Sequence, residues 1–259
     1  MFKEIRLSVK NNQFLFEELV KRDFQKKYKG TILGAAWSVL SPLLSLLVMR
    51  LVFGSLFGNS IDHFTTYLFC GNLVFAFFNE STSQGMYALV SNAAIFTKVN
   101  VSKYLFLLAK NVQTLINFGI TLVVFFVFCL FDHIAFTPKF VFLLYPIVLL
   151  MLFNIGIGMI LSAFYVFFRD VQYLWSVFVQ LLTYLSAIFY SIDTFPLAAR
   201  NAFLLNPVYL FIRYFRKIVI EGAIPSVGFH ALMAVDTLLA LGIGMYIYKK
   251  YNHEFLYYV

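Results

Sequence analysis

Charged side chains are scarce in this chain: Asp, Glu, Lys and Arg make up 12% of its 259 residues. Water-soluble domains carry about 25% charged residues. Hydrophobic residues account for 61% of the chain, and a water-soluble protein of this size could not bury so much apolar surface. The composition therefore excludes a soluble enzyme, a disordered protein and a coiled coil. It indicates an integral membrane protein with room for about five to seven helical spans.

Cysteine is nearly absent as well. Cys70 and Cys129 lie in apolar runs without paired spacing, and the four histidines are scattered, so the sequence predicts neither disulfides nor a metal site. It contains no G-x-x-x-x-G-K-[ST] phosphate loop and no visible set of acid, base and nucleophile. We therefore expect no catalytic residues on this chain.

Gly156-x-Gly158 and Gly242-x-Gly244 lie inside apolar runs, where small residues favour close helix packing.

Six apolar stretches are each about 20 residues or longer, enough to cross a bilayer core about 30 Å thick. They predict an all-α membrane protein with six transmembrane helices. Polar side chains from Asn72 to Gln84 interrupt the second stretch, which predicts a helix facing protein or a wet cavity rather than lipid. The six predicted spans are Thr31–Phe57, Thr65–Val90, Tyr104–Phe131, Phe140–Phe168, Tyr173–Ile192 and Val227–Tyr248.

The basic residues are distributed unevenly along the chain. Fourteen of the twenty Lys and Arg lie in the N-terminal segment, in the links after spans two and four, in the C-terminus, or in their flanks. Cytoplasmic loops are enriched in these residues, so we expect residues 1–30 and 252–259 to be cytoplasmic. Residues 31–251 then form a single membrane domain, and we expect no cleavable signal peptide before it.

The region 193–226 is too apolar for a plain loop. It holds two apolar pieces, each too short to cross a membrane, on either side of Asn206-Pro207. Two re-entrant helices, sheltered by protein or a cavity, would fit this pattern. A pair of amphipathic helices lying on the membrane surface is the alternative.

The segment Phe14–Lys29, before the first span, has apolar residues every three or four positions among charged ones. This spacing predicts an amphipathic helix at the cytoplasmic interface. Such a helix is either a membrane anchor or part of a docking platform for a partner.

Two further segments are candidates for contact with a partner. The link 91–102 has the apolar residues Ile95, Phe96 and Val99 among small and polar ones, and such residues can insert into a groove on a soluble protein. Arg169 and Asp170 follow the fourth span, where opposite charges either contact a partner or simply end the helix.

Residues 21–37 combine a basic segment with Tyr28 and the motif Leu33-Gly34-x-x-Trp37, and Pro42 follows. This stretch resembles the start of the first span in type-2 ABC exporter permeases, especially the branch that exports lipid-linked polysaccharides such as O-antigens, teichoic acids and capsules. Phe168-Arg169-Asp170, Tyr190–Pro196 and Asn206-Pro207 also match that branch. The resemblance covers essentially the whole chain in order.

The resemblance implies that this chain is the membrane half of an exporter in a bacterial cytoplasmic membrane. A separate ATPase chain would carry ATP and Mg, so no cofactor is expected here. Two copies of each chain would assemble, with the conduit between the two permeases. The link at Ile95, Phe96 and Val99, together with the N-terminal helix, would contact the ATPase. Arg169 and Asp170 would make a lesser contact.

The same resemblance suggests where substrate would pass. Aromatic rings bind sugar faces without requiring one hydroxyl pattern, so a conduit for polysaccharide is expected to be lined by aromatics: Trp37, Phe53, Tyr173, Phe178, Tyr184 and Tyr190. Packing in the membrane is the alternative role of these rings. The lipid end of the substrate would be an isoprenoid diphosphate, for which cationic donors are expected at the cytoplasmic mouth: Arg22, Lys26, Lys27 and Lys29. Ordinary cytoplasmic positive charge is the alternative.

Two rival functions remain at this point. A type-2 ABC permease for a drug or small lipid would share the six spans without needing the basic start of span one. An ATP-independent secondary carrier would favour internal repeats and buried carboxylates. Glu80 and Asp236 are the only acidic residues deep in the predicted spans, and no repeat relates them.

Overall fold

The computed structural model describes residues 12–58, 61–99, 101–193 and 195–258, and every regular element within these ranges is helical. Short 3-10 turns at Gly34–Ala36, Val90–Asn92 and Pro138–Leu143 precede three of the helices. In chain order the helices are α1 (Gln13–Tyr28), α2 (Trp37–Phe57), α3 (Phe64–Met86), α4 (Ala93–Phe96), α5 (Tyr104–Phe131), α6 (Leu144–Phe167), α7 (Val171–Leu185), α8 (Leu197–Phe203), α9 (Pro207–Val219), α10 (Val227–Tyr251) and α11 (Phe255–Tyr258).

Four helical stretches in the described residues are long and apolar enough to cross a membrane. They correspond to the first, third, fourth and sixth predicted spans and are Gly34–Phe57, Tyr104–Phe131, Pro138–Phe167 and Val227–Tyr251. The first predicted span starts three residues too early, because the chain becomes helical only from Gly34.

The second and fifth predicted spans differ from expectation. α3 has 23 residues, but its polar second half lowers its hydropathy. α7 ends at Leu185 rather than at Ile192, so the predicted end of span five is wrong. Its 15 residues measure about 22 Å, less than the thickness of a bilayer core. The helix stops because Ala187 adopts a positive φ of 50°, which an α-helix cannot accommodate.

α3 lies at the centre of the molecule, packed against α2, α5, α6 and α9. Most of its residues are buried, including the polar Ser81 and Thr82. Ser81 Oγ donates to Asn111 Oδ1 at 2.5 Å, and Thr82 Oγ1 donates to the Phe78 carbonyl at 2.7 Å. The polar side chains of this helix are thus paired inside the protein, which confirms that it does not face lipid on all sides.

α6 and α10 pack at very short range through glycine. A Cβ added at Gly156 would lie 2.6 Å from both the Ala240 carbonyl carbon and the Leu241 nitrogen, and one at Gly244 would lie 2.7 Å from the Gly156 oxygen. These atoms belong to the backbone and cannot move aside independently. The interpretation of the two Gly-x-Gly motifs as close packing is confirmed at Gly156 and Gly244.

The predicted break at Asn206-Pro207 separates α8 from α9. Asn206 caps α9 by accepting a hydrogen bond from the Val208 nitrogen at 3.0 Å, and Pro207 occupies the first helical position, where its missing N–H costs nothing. α8 is largely exposed, whereas α9 is buried against α3. The two helices therefore differ in burial: α8 lies at the surface and α9 lies in the core.

α9 carries a fully buried arginine. Arg216 Nη1 donates to the Ala187 carbonyl at 2.8 Å, and Nη2 donates to the Ile188 carbonyl at 2.9 Å. Its guanidinium lies 3.4 Å from the centre of the Tyr67 ring on α3. A buried cation is tolerated when its N–H groups have hydrogen-bond acceptors and its charge has a partner such as an aromatic ring. Arg216 therefore joins α9, α3 and the turn that follows α7.

α1 is attached to the bundle through Asp23, a buried carboxylate. Lys110 Nζ on α5 lies 3.0 Å from Asp23 Oδ2, and Arg22 Nη2 donates to Asp23 Oδ1 at 2.8 Å. Arg22 Nη2 also donates to Asn92 Oδ1 at 2.9 Å. Gly30, with φ at +80°, then turns the chain away from α1 toward α2.

The bundle has two distinct ends. α1, α4 and α11 gather at the end that carries most of the Lys and Arg residues, which we call the basic end. The opposite end contains residues 61–63, the link 132–139 and the region 186–226, joined by contacts such as that of Lys139 Nζ with the Gly222 carbonyl at 2.6 Å.

We expect Gly156→Ala to destabilise the protein by about 1–3 kcal/mol, because the added methyl group would push apart two backbones in contact. Thermal unfolding of the purified protein in detergent measures the effect. Gly242→Ala on α10 is the matched control, since a Cβ there meets nothing within 4 Å. Equal unfolding temperatures for the two variants would contradict the packing argument.

We expect Asp23→Asn to cost about 3 kcal/mol, because it leaves the largely buried Lys110 without its counter-ion. Release of α1 should also make the segment after Tyr28 more sensitive to trypsin. Glu18→Gln, which removes an exposed carboxylate from the same helix, should change neither stability nor cleavage. Loss of stability without faster cleavage would show that Asp23 does not hold α1 in place.

Candidate functional site

A cavity of about 420 Å³ lies where α1, α2, α3 and α5 meet, and we call it the polar cavity. Side chains with hydroxyl or amide groups are the most numerous of its lining residues, which also include several aromatic rings and one ion pair. Its polar and aromatic lining residues are Lys27, Tyr28, Thr31, Trp37, Ser38, Ser41, Ser45, Asn72, Phe77, Glu80, Thr114, Asn117, Phe118 and Thr121.

Helical spacing explains why these side chains converge. Ser38, Ser41 and Ser45 are three and four residues apart, so they share one face of α2. Thr114, Asn117 and Thr121 have the same spacing on α5. Asn72 and Glu80, eight residues apart, share a face of α3. Each helix thus turns a polar stripe toward the cavity.

One hydrogen-bonded network spans the cavity. Lys27 Nζ donates to Glu80 Oε1 at 2.6 Å, and Asn117 Nδ2 donates to the same oxygen at 3.1 Å. Tyr28 OH donates to Asn117 Oδ1 at 3.1 Å. The network links α1, α3 and α5. The Lys27 and Glu80 side chains keep 38% and 30% of their surface exposed, so a ligand in the cavity can reach both.

The lining suits a ligand with many hydroxyl groups. Serine and threonine hydroxyls both donate and accept hydrogen bonds, as do the amides of Asn72 and Asn117. The Trp37 ring, 38% exposed, offers a flat apolar face beside them. These groups are suited to binding and orienting a ligand.

The four cationic residues predicted to bind a diphosphate occupy different surroundings. Lys27 points into the polar cavity, whereas Arg22 pairs with Asp23 and Asn92 on another side of α1. Lys26 and Lys29 are exposed near the end of the helix. The structure therefore brings only Lys27 into the cavity.

The link 91–102, which we call the coupling segment, lies at the basic end. The prediction for one of its residues requires a correction. Phe96 is only 5% exposed and packs against Phe106, with their ring centres 5.8 Å apart. It is a core residue of this chain, so it is not the exposed residue expected to enter a partner's groove. Val99 is 52% exposed and Ile95 is partly exposed, and these two remain available for contact.

The end of the coupling segment is anchored to the C-terminal region. Lys103 Nζ donates to the Asn252 carbonyl at 2.6 Å and to Asn252 Oδ1 at 3.0 Å. Burial lowers the pKa of Lys103 from its ordinary value. This contact holds the link between α4 and α5 close to α10 and α11.

Arg169 and Asp170 form the exposed corner between α6 and α7 at the same end of the bundle. The Arg169 guanidinium lies 5.0 Å from the centre of the Tyr165 ring. Tyr87 OH, just after α3, donates to Gln172 Oε1 at 3.2 Å. The corner therefore lies beside the chain that leads into the coupling segment.

The six aromatic residues predicted for a conduit fall into three groups. Trp37 lines the polar cavity. Tyr173 and Phe178 project from α7 and are 66% and 47% exposed. The remaining three are Phe53, Tyr184 and Tyr190, of which the first two have rings close to Phe189, another aromatic residue of the fifth predicted span.

Phe189 forms the centre of this third group. Phe53 stacks on it at 4.3 Å between ring centres, and the Tyr184 ring lies 6.3 Å away. Tyr190 OH donates to the Tyr184 carbonyl at 2.7 Å. Phe53 and Tyr190 therefore contribute to packing within the chain, whereas Tyr184 is 58% exposed.

Sequence reasoning missed the residues that organise the cavity. Glu80 was noted as an acidic residue inside a span, but its pairing with Lys27 depends on a contact across 53 positions. The serine spacing on α2 was a usable signal. The spacing of Thr114, Asn117 and Thr121 on α5 was a signal of the same kind, although a polar face does not reveal which distant side chains it meets.

The chain is similar to known permease and transport proteins along nearly its whole length. The O-antigen export system permease protein RfbA of Klebsiella pneumoniae is 25% identical over 251 residues, covering 95% of this chain and 96% of that protein. The protein of the same name from Myxococcus xanthus is 27% identical over 245 residues, covering 93% and 94%. The polysialic acid transport protein KpsM of Escherichia coli is 22% identical over 243 residues, also covering 93% and 94%. Residues 15–220 match the family described as ABC-2 type transporter, and the chain belongs to that family.

Proposed function

We propose that this chain is the membrane-spanning permease subunit of an ATP-driven exporter that moves a lipid-linked polysaccharide across the bacterial cytoplasmic membrane. The likeness to O-antigen and polysialic acid export proteins along nearly the whole chain is the observation that carries the proposal. The polar cavity supports it, because hydroxyls, amides and an exposed indole are the groups with which proteins bind sugars.

In this proposal the chain crosses the membrane six times and both termini are cytoplasmic. The four long apolar helices supply four of the crossings. α3 crosses inside the protein, and α7 together with the turn after it completes the fifth passage. The basic end would lie in the cytoplasm, since Lys and Arg are retained on that side, and α8 and α9 would re-enter the membrane from the opposite side.

A separate ATPase would bind at the basic end. α1, α4 and the Arg169–Asp170 corner present exposed residues there. Ile95 and Val99 would supply the apolar contact, with Arg169 and Asp170 as a lesser one. Phe96 would act indirectly, by supporting the backbone of α4 from inside.

A second copy of this chain would complete the conduit. α2 is almost entirely unburied, and α7 exposes a row of large apolar residues that includes Tyr173, Phe178 and Tyr184. A partner copy covering part of these faces would place the exposed aromatics along a shared path. Two permeases and two ATPases would then form the transporter.

The anionic lipid end of the substrate would be received at the basic end. Lys26 and Lys29 are exposed near the polar cavity, and Lys27 lies within it. Arg22 would contribute through its exposed edge, while its other contacts hold α1 in place.

The partnership can be tested with the purified chain. Reconstituted alone in lipid vesicles, it should hydrolyse no more ATP than protein-free vesicles. Reconstituted with the ATPase encoded in its own transport system, it should hydrolyse ATP, and a matching lipid-linked glycan should raise the rate. Strong hydrolysis by the lone chain, or a response to drugs and simple lipids but not to any glycan, would contradict the proposal.

The conduit can be tested by substituting its exposed rings. Tyr184→Ala should reduce export per assembled complex partially, because each ring contact is worth about 0.5–1.5 kcal/mol. Adding Tyr173→Ala, which removes a second exposed ring of α7, should reduce export further. Tyr246→Ala on α10, a tyrosine 65% exposed, is the control. If the control lowers export per complex as much as Tyr184→Ala does, α7 is not part of the path.

A further inference from the structure

The two charged side chains of the polar cavity are already paired with each other. Glu80 Oε1 and Lys27 Nζ are 2.6 Å apart, and the lining residues that the structure describes include no other Asp, Glu, Lys or Arg. Within the described part of the lining, Lys27 is thus the only cation, and a carboxylate of the same chain occupies it. An anionic ligand has to compete with that carboxylate.

Glu80 is held more rigidly in the structure than Lys27 is. Glu80 lies on the central helix α3, and Asn117 Nδ2 holds the same oxygen from α5 at 3.1 Å. Lys27 lies in the last turn of α1 and reaches the cavity through a flexible four-carbon stem. Opening the pair therefore requires movement of Lys27 alone, while Glu80 stays on the cavity wall.

The cost of opening the pair is small. Both side chains are about one-third exposed, and ion pairs that remain in contact with water contribute little net stability. A phosphate offers more oxygens and more charge than one carboxylate, so it can accept more of the three N–H donors of Lys27. A neutral ligand gains nothing from displacing Glu80.

We propose that Glu80 is an internal substitute for the anionic group of the substrate: it pairs with Lys27 and loses this partner when Lys27 turns to a bound phosphate or sugar carboxylate. The inference rests on the proposed function, because it concerns how an exported glycan is recognised. Glu80 is then a specificity-determining residue. It weakens binding of every anion by competing for Lys27, and it leaves neutral glycans unaffected.

The chain contains a reporter for this event. Trp37 lines the polar cavity, and the only other tryptophan is Trp175. In a Trp175→Phe background, the fluorescence of Trp37 follows ligand binding to the full-length chain in lipid nanodiscs, without the ATPase and without export. The probes are geranyl diphosphate, a sialic acid trimer and a neutral oligosaccharide of similar length. The first two distinguish a lipid diphosphate from an acidic sugar.

Glu80→Gln keeps an oxygen that accepts the hydrogen bond from Asn117 and removes the charge. We expect it to tighten binding of at least one anionic probe by about fivefold, the equivalent of one exposed ion pair. Lys27→Met should weaken binding of the same probe by about tenfold, the equivalent of one charge-assisted hydrogen bond. The double variant should bind like Lys27→Met, because Glu80 acts through Lys27.

Lys21→Met and Glu18→Gln, which change exposed residues of α1 outside the cavity lining, are controls for general changes of charge on this helix, and neither should alter the affinity by more than the error of the titration. Unfolding temperatures identify variants that are merely unstable. The proposal is overturned if Glu80→Gln leaves anion binding unchanged or weakens it, or if Glu80→Gln tightens binding equally in the Lys27→Met background. It is also overturned if neutral and anionic probes respond alike.

The outcome separates this inference from the proposed function. If the wild-type transporter responds to a lipid-linked glycan but Glu80→Gln does not tighten anion binding, the function stands and the role of Glu80 is wrong. If the anionic probes bind as expected but no lipid-linked glycan stimulates the ATPase, the cavity binds anions and the proposed polysaccharide substrate is wrong.

Discussion

The need to keep the polar side chains of α3 away from lipid governs the architecture of this protein. An unpaired polar group in hydrocarbon costs several kcal/mol, and α3 carries polar residues through its second half. The other helices enclose it, and α5 supplies complementary amides: Asn111 accepts from Ser81, and Asn117 donates to Glu80. Where the helices do not close completely, the remaining polar groups of α2, α3 and α5 form the polar cavity.

α1 connects this cavity to the surface proposed for the ATPase. Its last turn places Lys27 against Glu80, while Arg22, on the same helix, donates to Asn92 immediately before α4. Asp23 and Lys110 fix the helix to α5. A single helix, 16 residues long, thus touches both the polar cavity and the segment just before α4.

The opposite end depends on Arg216 in a comparable way. Its guanidinium is fully buried and is satisfied by backbone carbonyls after α7 and by the Tyr67 ring on α3. Those carbonyls are free to accept because the chain turns at Ala187 and stops being helical. The arginine therefore depends on the early end of α7, and the position of that end depends on the arginine.

The lengths of the apolar stretches and the residues that interrupt helices locally were enough to predict much of the fold from the sequence alone. The four long apolar helices, the helix before them and the break at Asn206-Pro207 all lie where those local rules predict, because each depends on residues close together in the chain. The resemblance at Leu33-Gly34-x-x-Trp37 identified the family for the same reason. The early end of α7, the inward position of Phe96 and the pairing of Lys27 with Glu80 were decided only by tertiary structure. Each depends on contact with a residue distant in the sequence, and a pattern of apolar and charged residues does not record which distant group a side chain will meet.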